Sequence, residues 1–573
     1  MTTEQHMRRL FVKIVIIQGI VGRKKIIITW QAEHTAAKVL FHEGQIKMQD
    51  VGELIRAKSE DDEEEDESSK WVPSGSWWRD FLYFSGPGWF VSIAYVDPGN
   101  YQADIQAGAT SRYSLLFALW WTAILSIYVQ VLCVRLAFHS NLTLSQAQAL
   151  THPSRRSRYF NWAIAEFSTA ITDLPTVVGF AISTMLCLFD MKHYFRRADS
   201  SHSTLNSYWI GVLMSLLTTM VFLASLSFGM RLLEISIFSF VAIMSIALWV
   251  EMSYVGPDYS EMFKGWAIGF TETTNSDIFS LAGILGSVVM PHNLYLHTAA
   301  VQSKRHHIKQ SPDVIEKAVK YCSIEPIIPI LVSFFVNMAV VSIAAESVYG
   351  GEGASSVGLT NFCAYFQSLK GGCLLWATAL LAAGQSGAIT TTYTGQYVMD
   401  GFLQIQVAPW LRCILTRLAV IAPSVAVSVM FPDKLNQLVN VVNALLGLLL
   451  PFAFTPLVKY NCSEKIMGEG NASKGTEKVI LYLFAAIVWA VNATTISVRG
   501  GGFFGEIATD SAHTVLLILL EVAVQIFYAW WNFSTLYESI EGKEIMQSTD
   551  GFLDEAFSSA PNDDDDSYTF ELS

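Results

Sequence analysis

Twelve apolar windows recur between residues 88 and 531, each long enough to cross the ~30 Å hydrocarbon core of a bilayer. Their approximate limits are 88 to 110, 115 to 138, 160 to 189, 208 to 228, 232 to 255 and 278 to 301, then 324 to 346, 372 to 403, 411 to 431, 435 to 458, 477 to 497 and 511 to 531. The runs are continuously apolar and lack the period-two alternation of lipid-facing strands, so the backbone has to satisfy itself within helices. The expected fold is an all-α membrane protein of 12 spans. With 52% hydrophobic and only 15% charged residues, the 573-residue chain is too apolar for the three or four soluble domains its length would otherwise suggest.

The net charge of -13 sits almost wholly in two runs, Glu60 to Glu67 and Asp563 to Asp566. No basic footprint remains, so a nucleic-acid partner is not expected. Residues 1–78 read as a largely disordered acidic arm, 79–460 as a core of ten spans, 461–535 as two further spans with their loops, and 536–573 as an acidic tail. Leu10 to Val21 resembles a signal peptide, but Lys13 interrupts it and Arg23-Lys24-Lys25 stands where a cleavage site would be. Counting Lys and Arg in the loops gives fourteen on one side and eight on the other, which puts both termini in the cytosol. In the cytosolic arm, Asp50-Val51-Gly52-Glu53-Leu54-Ile55 fits an acidic dileucine signal, with sorting adaptors as partners at Leu54 and Ile55 and an endosomal or vacuolar membrane as the alternative to the plasma membrane. On this topology none of the sequons at Asn141, Asn461, Asn471, Asn492 and Asn532 is a glycan site. Seven cysteines make no disulfide framework, and Cys133, Cys187 and Cys413 read as small buried hydrophobes.

Two spans carry residues that a lipid-facing helix excludes. The first reads Ala94-Tyr95-Val96-Asp97-Pro98-Gly99-Asn100 and the sixth Val288-Val289-Met290-Pro291-His292-Asn293, each with Pro, one residue, then Asn. The prolines stand five spans apart, an internal repeat. Pro98 and Pro291 remove a backbone donor in mid-span and Gly99 tolerates unusual angles, so both helices should unwind there. Unwound backbone at membrane depth is tolerated only inside the bundle, and paired breaks mark the midplane site of a secondary transporter. A carboxylate at Asp97, an amide oxygen at Asn100, a thioether at Met290 and freed carbonyls suit a first-row divalent cation such as manganese or iron.

These residues resemble the NRAMP family of proton-coupled divalent metal transporters. Gly86-Pro87-Gly88 with Asp97-Pro98-Gly99-Asn100 is similar to its first span and Met290-Pro291-His292-Asn293 to its sixth; Gly384-Gln385-Ser386 and Leu450-Pro451-Phe452-Ala453 are similar to its eighth and tenth. The resemblance implies a LeuT-type five-plus-five inverted repeat with two added C-terminal helices. It implies metal ligation by Asp97, Asn100, Met290 and the carbonyls of Ala94 and Ser287, and a proton path through Glu166, Asp173, His292, His297 and Arg417. Two positions depart from the family pattern, Leu449 where it has glutamine and Thr176 where it has glutamate. The expected function is symport of divalent metal ions and protons toward the cytosol across a lipid bilayer, with metal and proton as substrates and no cofactor. An uncoupled uniporter and a transport-deficient metal-sensing protein are the alternatives; an amino-acid transporter fits Asp97 and Met290 less well, and no enzyme signature is present.

Overall fold

A computed structural model describes residues 27–32, 35–40, 70–151, 154–188, 230–269, 275–305, 307–351, 353–365, 372–405, 434–496 and 511–537, with a few positions between 411 and 419. Contacts divide the chain into Met1–Trp71 and Val72–Ser573. Within the first unit, Ile27–Ala32 pairs antiparallel with Thr35–Leu40. The acidic run, Leu54, Ile55, Arg417 and Cys413 lie outside the described residues, as do the windows at 208 to 228 and most of 411 to 431.

The second unit is an all-α membrane fold. Among the described residues, six helical stretches are long and apolar enough to cross a bilayer: Leu116–Ser140, Phe279–Arg305, Pro312–Ser347, Gly372–Leu403, Leu435–Asn461 and Gly475–Ile496. The helices that frame the site are α1 (Pro87–Ser92), α2 (Pro98–Ser111), α3 (Arg155–Leu188), α4 (Asn275–Val288), α5 (Pro291–Arg305), α6 (Ile327–Ser347), α7 (Gly372–Leu403), α8 (Leu435–Leu449) and α9 (Pro451–Asn461).

Both expected interruptions are present, and they differ from a third. Between α1 and α2 the chain runs through a 3-10 turn at Ile93–Val96 and an extended Asp97 (ψ 169). Between α4 and α5 only Val289 and Met290 leave the helix. At Leu450 the backbone stays right-handed helical and its N–H still reaches the carbonyls of Leu446 and Gly447, so Pro451 kinks the tenth span without unwinding it.

α1 has only two turns and cannot hold itself. Its start is fixed by Glu325, at the joint between helix Pro312–Ile324 and α6, whose buried carboxylate accepts from Gly86 N at 2.7 Å, Gly88 N at 2.8 Å and Trp89 N at 3.4 Å. Gly86 adopts φ 145, open to glycine and strained for other residues, and a Cβ at Gly88 would lie 2.7 Å from a Glu325 oxygen and 2.9 Å from Pro326 Cα. The Gly-Pro-Gly stretch is thus the imprint of one carboxylate. Close glycine contact also joins α4 to α8, where a Cβ at Gly286 would run into the Asn443 carbonyl and the Gly447 amide.

Cys363, ahead of α7, and Cys373, in its first turn, are disulfide-bonded, a pairing that the odd cysteine count concealed. Cys133 is buried as expected, whereas Cys187 near the end of α3 is exposed. Asn461, Asn492 and Asn532 are buried with their amides hydrogen-bonded, which removes them as glycan sites.

Gly88→Ala should cost about 1–3 kcal/mol by forcing the Glu325 carboxylate off its donors. A thermal midpoint in detergent equal to wild type would show that α1 does not depend on this close approach.

Candidate metal site at the two helix breaks

In an uninterrupted helix the carbonyl of residue i accepts from the N–H of residue i+4. The donors for Ala94 and Ser287 would be residues 98 and 291, and both are proline. The two carbonyls assigned to the metal by resemblance are therefore those whose helical partner does not exist.

The first break is closed by three asparagines. Asn100 Nδ2 donates to Ala94 O at 2.9 Å, Asn337 Nδ2 from α6 donates to Tyr95 O at 2.9 Å, and Asn443 Nδ2 from α8 donates to Gly99 O at 2.8 Å. All three are buried, and the Oδ1 of each has no hydrogen-bond partner. Each nitrogen is committed to backbone, so each oxygen is turned elsewhere. Asn337 and Asn443 were not singled out from sequence; their only signal there was an amide in an apolar window.

Asp97 is 1% exposed and caps α2, its Oδ1 accepting from Asn100 N at 2.8 Å and Asn100 Nδ2 at 2.9 Å. At the second break Met290 and Ser287 are buried, the Ser287 hydroxyl bonding Ile284 O at 3.2 Å. Asn293, the counterpart of Asn100, has both amide atoms buried without a partner. A hard carboxylate, neutral amide oxygens and a thioether, all removed from solvent, make a set suited to a cation with some affinity for sulfur.

Four of the expected proton-path residues fall among the described residues, on α3 and α5. On α3, Asp173 Oδ1 accepts from Thr176 Oγ1 and from Thr391 Oγ1 of α7, each at 2.9 Å. The adjacent Thr172 hydroxyl lies 3.3 Å from His292 Nδ1. A Cβ at Gly387 would meet Thr176 Cγ2 at 2.6 Å and Asp97 Cβ at 3.8 Å, so Thr176, which bonds Asp173, and Asp97 both border this glycine. His297 is fully buried with neither ring nitrogen hydrogen-bonded. Glu166 is half-buried two turns before Asp173 on α3.

The chain is similar to known proteins over most of its length. The family model described as natural resistance-associated macrophage protein-like, Nramp, matches residues 88–497. The chain is 34% identical over 426 residues to the metal transporter nramp1 homolog of Dictyostelium discoideum, covering 74% of this chain and 75% of that one. It is 32% identical over 486 residues to the metal transporter Nramp3.2 of Populus trichocarpa, covering 83% and 92%. A solved structure of the Eremococcus coleocola manganese transporter aligns with a TM-score of 0.69 at 24% identity over 82% of this chain and 97% of that one, a likeness of fold.

Asn337→Leu should leave the Tyr95 carbonyl buried without its donor, at a cost of about 1–3 kcal/mol. The check is the thermal midpoint of the purified variant, and an unchanged value would mean that the carbonyl finds another donor.

Proposed function

The chain belongs to the Nramp family, and on that premise we propose that it carries divalent transition-metal cations, manganese or iron in class, across its membrane toward the cytosol with a loosely coupled proton. The observation that carries this reading is the meeting, at one unwound segment, of the buried Asp97 carboxylate with the unpaired Asn100 oxygen, opposite a break that holds the Met290 sulfur. Asp97 supplies the charge that offsets cation desolvation, and Met290 supplies the preference over magnesium and calcium. The relatives named above are metal transporters, which supports the substrate class.

Direction rests on the Lys and Arg asymmetry of the loops and on the Cys363–Cys373 bond, since disulfides persist on the non-cytosolic side and that connection was assigned there by charge alone. Two positive charges entering across 100 mV, inside negative, release about 4.6 kcal/mol, so uptake does not require a proton for its energy. Thr176 favours loose coupling for a structural reason: its hydroxyl is already committed to Asp173 and offers no second carboxylate between Asp173 and Asp97. The membrane is the plasma membrane or an endosomal or vacuolar one.

Purified protein in liposomes with an internal pH dye tests the substrate and the coupling together. Asp97→Ala should abolish manganese uptake while the protein remains folded, and uptake at the wild-type rate would remove Asp97 from the site. In wild type, uptake under a membrane potential at neutral external pH should bring in fewer than one proton per metal, and Asp173→Asn should reduce the proton signal more than the metal flux. A one-to-one ratio lost together with flux in Asp173→Asn would instead establish tight symport.

A further inference from the structure

We propose that a lysine-lined cleft between the tenth and eleventh spans binds a phosphomonoester anion, of the kind carried by the headgroup of a phosphorylated inositol lipid. The cleft lies at the C-terminal end of α9, away from the kink at Pro451, and the proposal is independent of the transport reading.

The cleft, of about 720 Å³, forms where the chain leaves α9 and turns back into helix Gly475–Ile496, with Leu536 of helix Ser511–Tyr537 also lining it. The turn is tied down at both ends. Ser473 N donates to Asn461 O at 2.8 Å, and Arg135 donates to Asn471 O at 2.9 Å. Four lysines line the cleft, Lys459, Lys465, Lys474 and Lys478, against one acid, Glu464, which pairs with Lys474. Three positive charges are left in excess. Lys459 is 8% exposed, so one of the four belongs to the wall and is not a solvated surface chain, and the Lys478 ammonium sits 5.6 Å from the Tyr482 ring centroid.

The same wall lacks acceptors. Ser473 Oγ is buried and has no hydrogen-bond partner, an uncommon state for a hydroxyl in a folded chain and one that an acceptor entering the cleft would end. Beside it, helix Gly475–Ile496 begins directly after Lys474, whose side chain carries donors only and cannot cap the leading amides. The acid of that first turn, Glu477, is held by Arg135. A phosphomonoester supplies what is missing: three strong acceptor oxygens for the hydroxyl and the amides, and close to two negative charges for the lysines and the positive helix end. The four lysines stand on the side that the loop charges assign to the cytosol, where anionic lipids concentrate and basic pockets between spans take phosphorylated headgroups. Val479 and Leu483, next to Lys478 and Tyr482 on the same helix, are 66% and 59% exposed, so apolar surface for acyl chains adjoins the charged cleft.

Binding is measured on the purified full chain in detergent, with dioctanoyl phosphatidylinositol bisphosphate and inositol trisphosphate as probes and dioctanoyl phosphatidylcholine as the control. Wild type should bind the bisphosphate saturably. Lys474→Gln with Lys478→Gln should raise its Kd about 30-fold, at about fivefold per lysine. Ser473→Ala, which leaves the charge unchanged, should raise it about tenfold. Lys317→Gln with Lys320→Gln, an equal loss of charge on the exposed face of helix Pro312–Ile324, should leave it at the wild-type value. An absence of saturable binding, or phosphatidylcholine bound as tightly as the bisphosphate, overturns the proposal. So does an equal rise in both lysine pairs, which is general charge attraction, or a wild-type Kd in either the cleft pair or Ser473→Ala. Should Ser473→Ala not fold, the two lysine pairs decide. Tighter binding of the lipid than of inositol trisphosphate assigns the cleft to a membrane headgroup and equal or weaker binding to a soluble phosphate ester; each supports the phosphomonoester site.

Discussion

Two missing backbone donors govern the architecture of this molecule. Pro98 and Pro291 withhold the N–H groups that Ala94 and Ser287 would otherwise receive, and in hydrocarbon no water replaces them. The protein has to bring polar side chains to the breaks or bring a substrate there. At the first break it brings amides from α2, α6 and α8, one each to the carbonyls of Ala94, Tyr95 and Gly99. Every amide so used leaves an oxygen over, so satisfying the backbone leaves three buried, unpaired hard acceptors.

The locally encoded parts of this arrangement were legible in the sequence. Proline acts within four residues, so both breaks could be read from short stretches. Asn337 and Asn443 could not, because their targets lie 242 and 344 residues away and an isolated asparagine in an apolar run does not announce which helix it faces. Nor does a proline state its own effect. Pro451 looks like Pro98 in sequence, yet Leu450 keeps helical angles and the tenth span merely bends, the difference being the extended Asp97 that precedes Pro98. The Cys363–Cys373 bond was hidden because parity counts the whole chain, while pairing depends on two residues ten apart.

Thr176 shows why a substitution relative to a family pattern needs its surroundings. Read alone it is a lost acid. In place, it packs into the notch at Gly387 and sends its hydroxyl to Asp173, joining Thr391 on the same oxygen. The third and eighth spans are thereby tied through one carboxylate, in a helix pair that also packs extensively elsewhere. A glutamate there would bring a second negative charge beside Asp173 in place of a donor.

The clamp on α1 carries a consequence for the order of assembly. Gly86 and Gly88 leave the ribosome long before Glu325, their acceptor, which follows Gly86 by 239 residues. Until the seventh span arrives, a two-turn helical fragment stands with its leading amides unmatched, and it is too short to persist alone. The first half-span to be translated is accordingly among the last pieces to become native, and a nascent chain halted before residue 325 would present it unfinished to the insertion machinery.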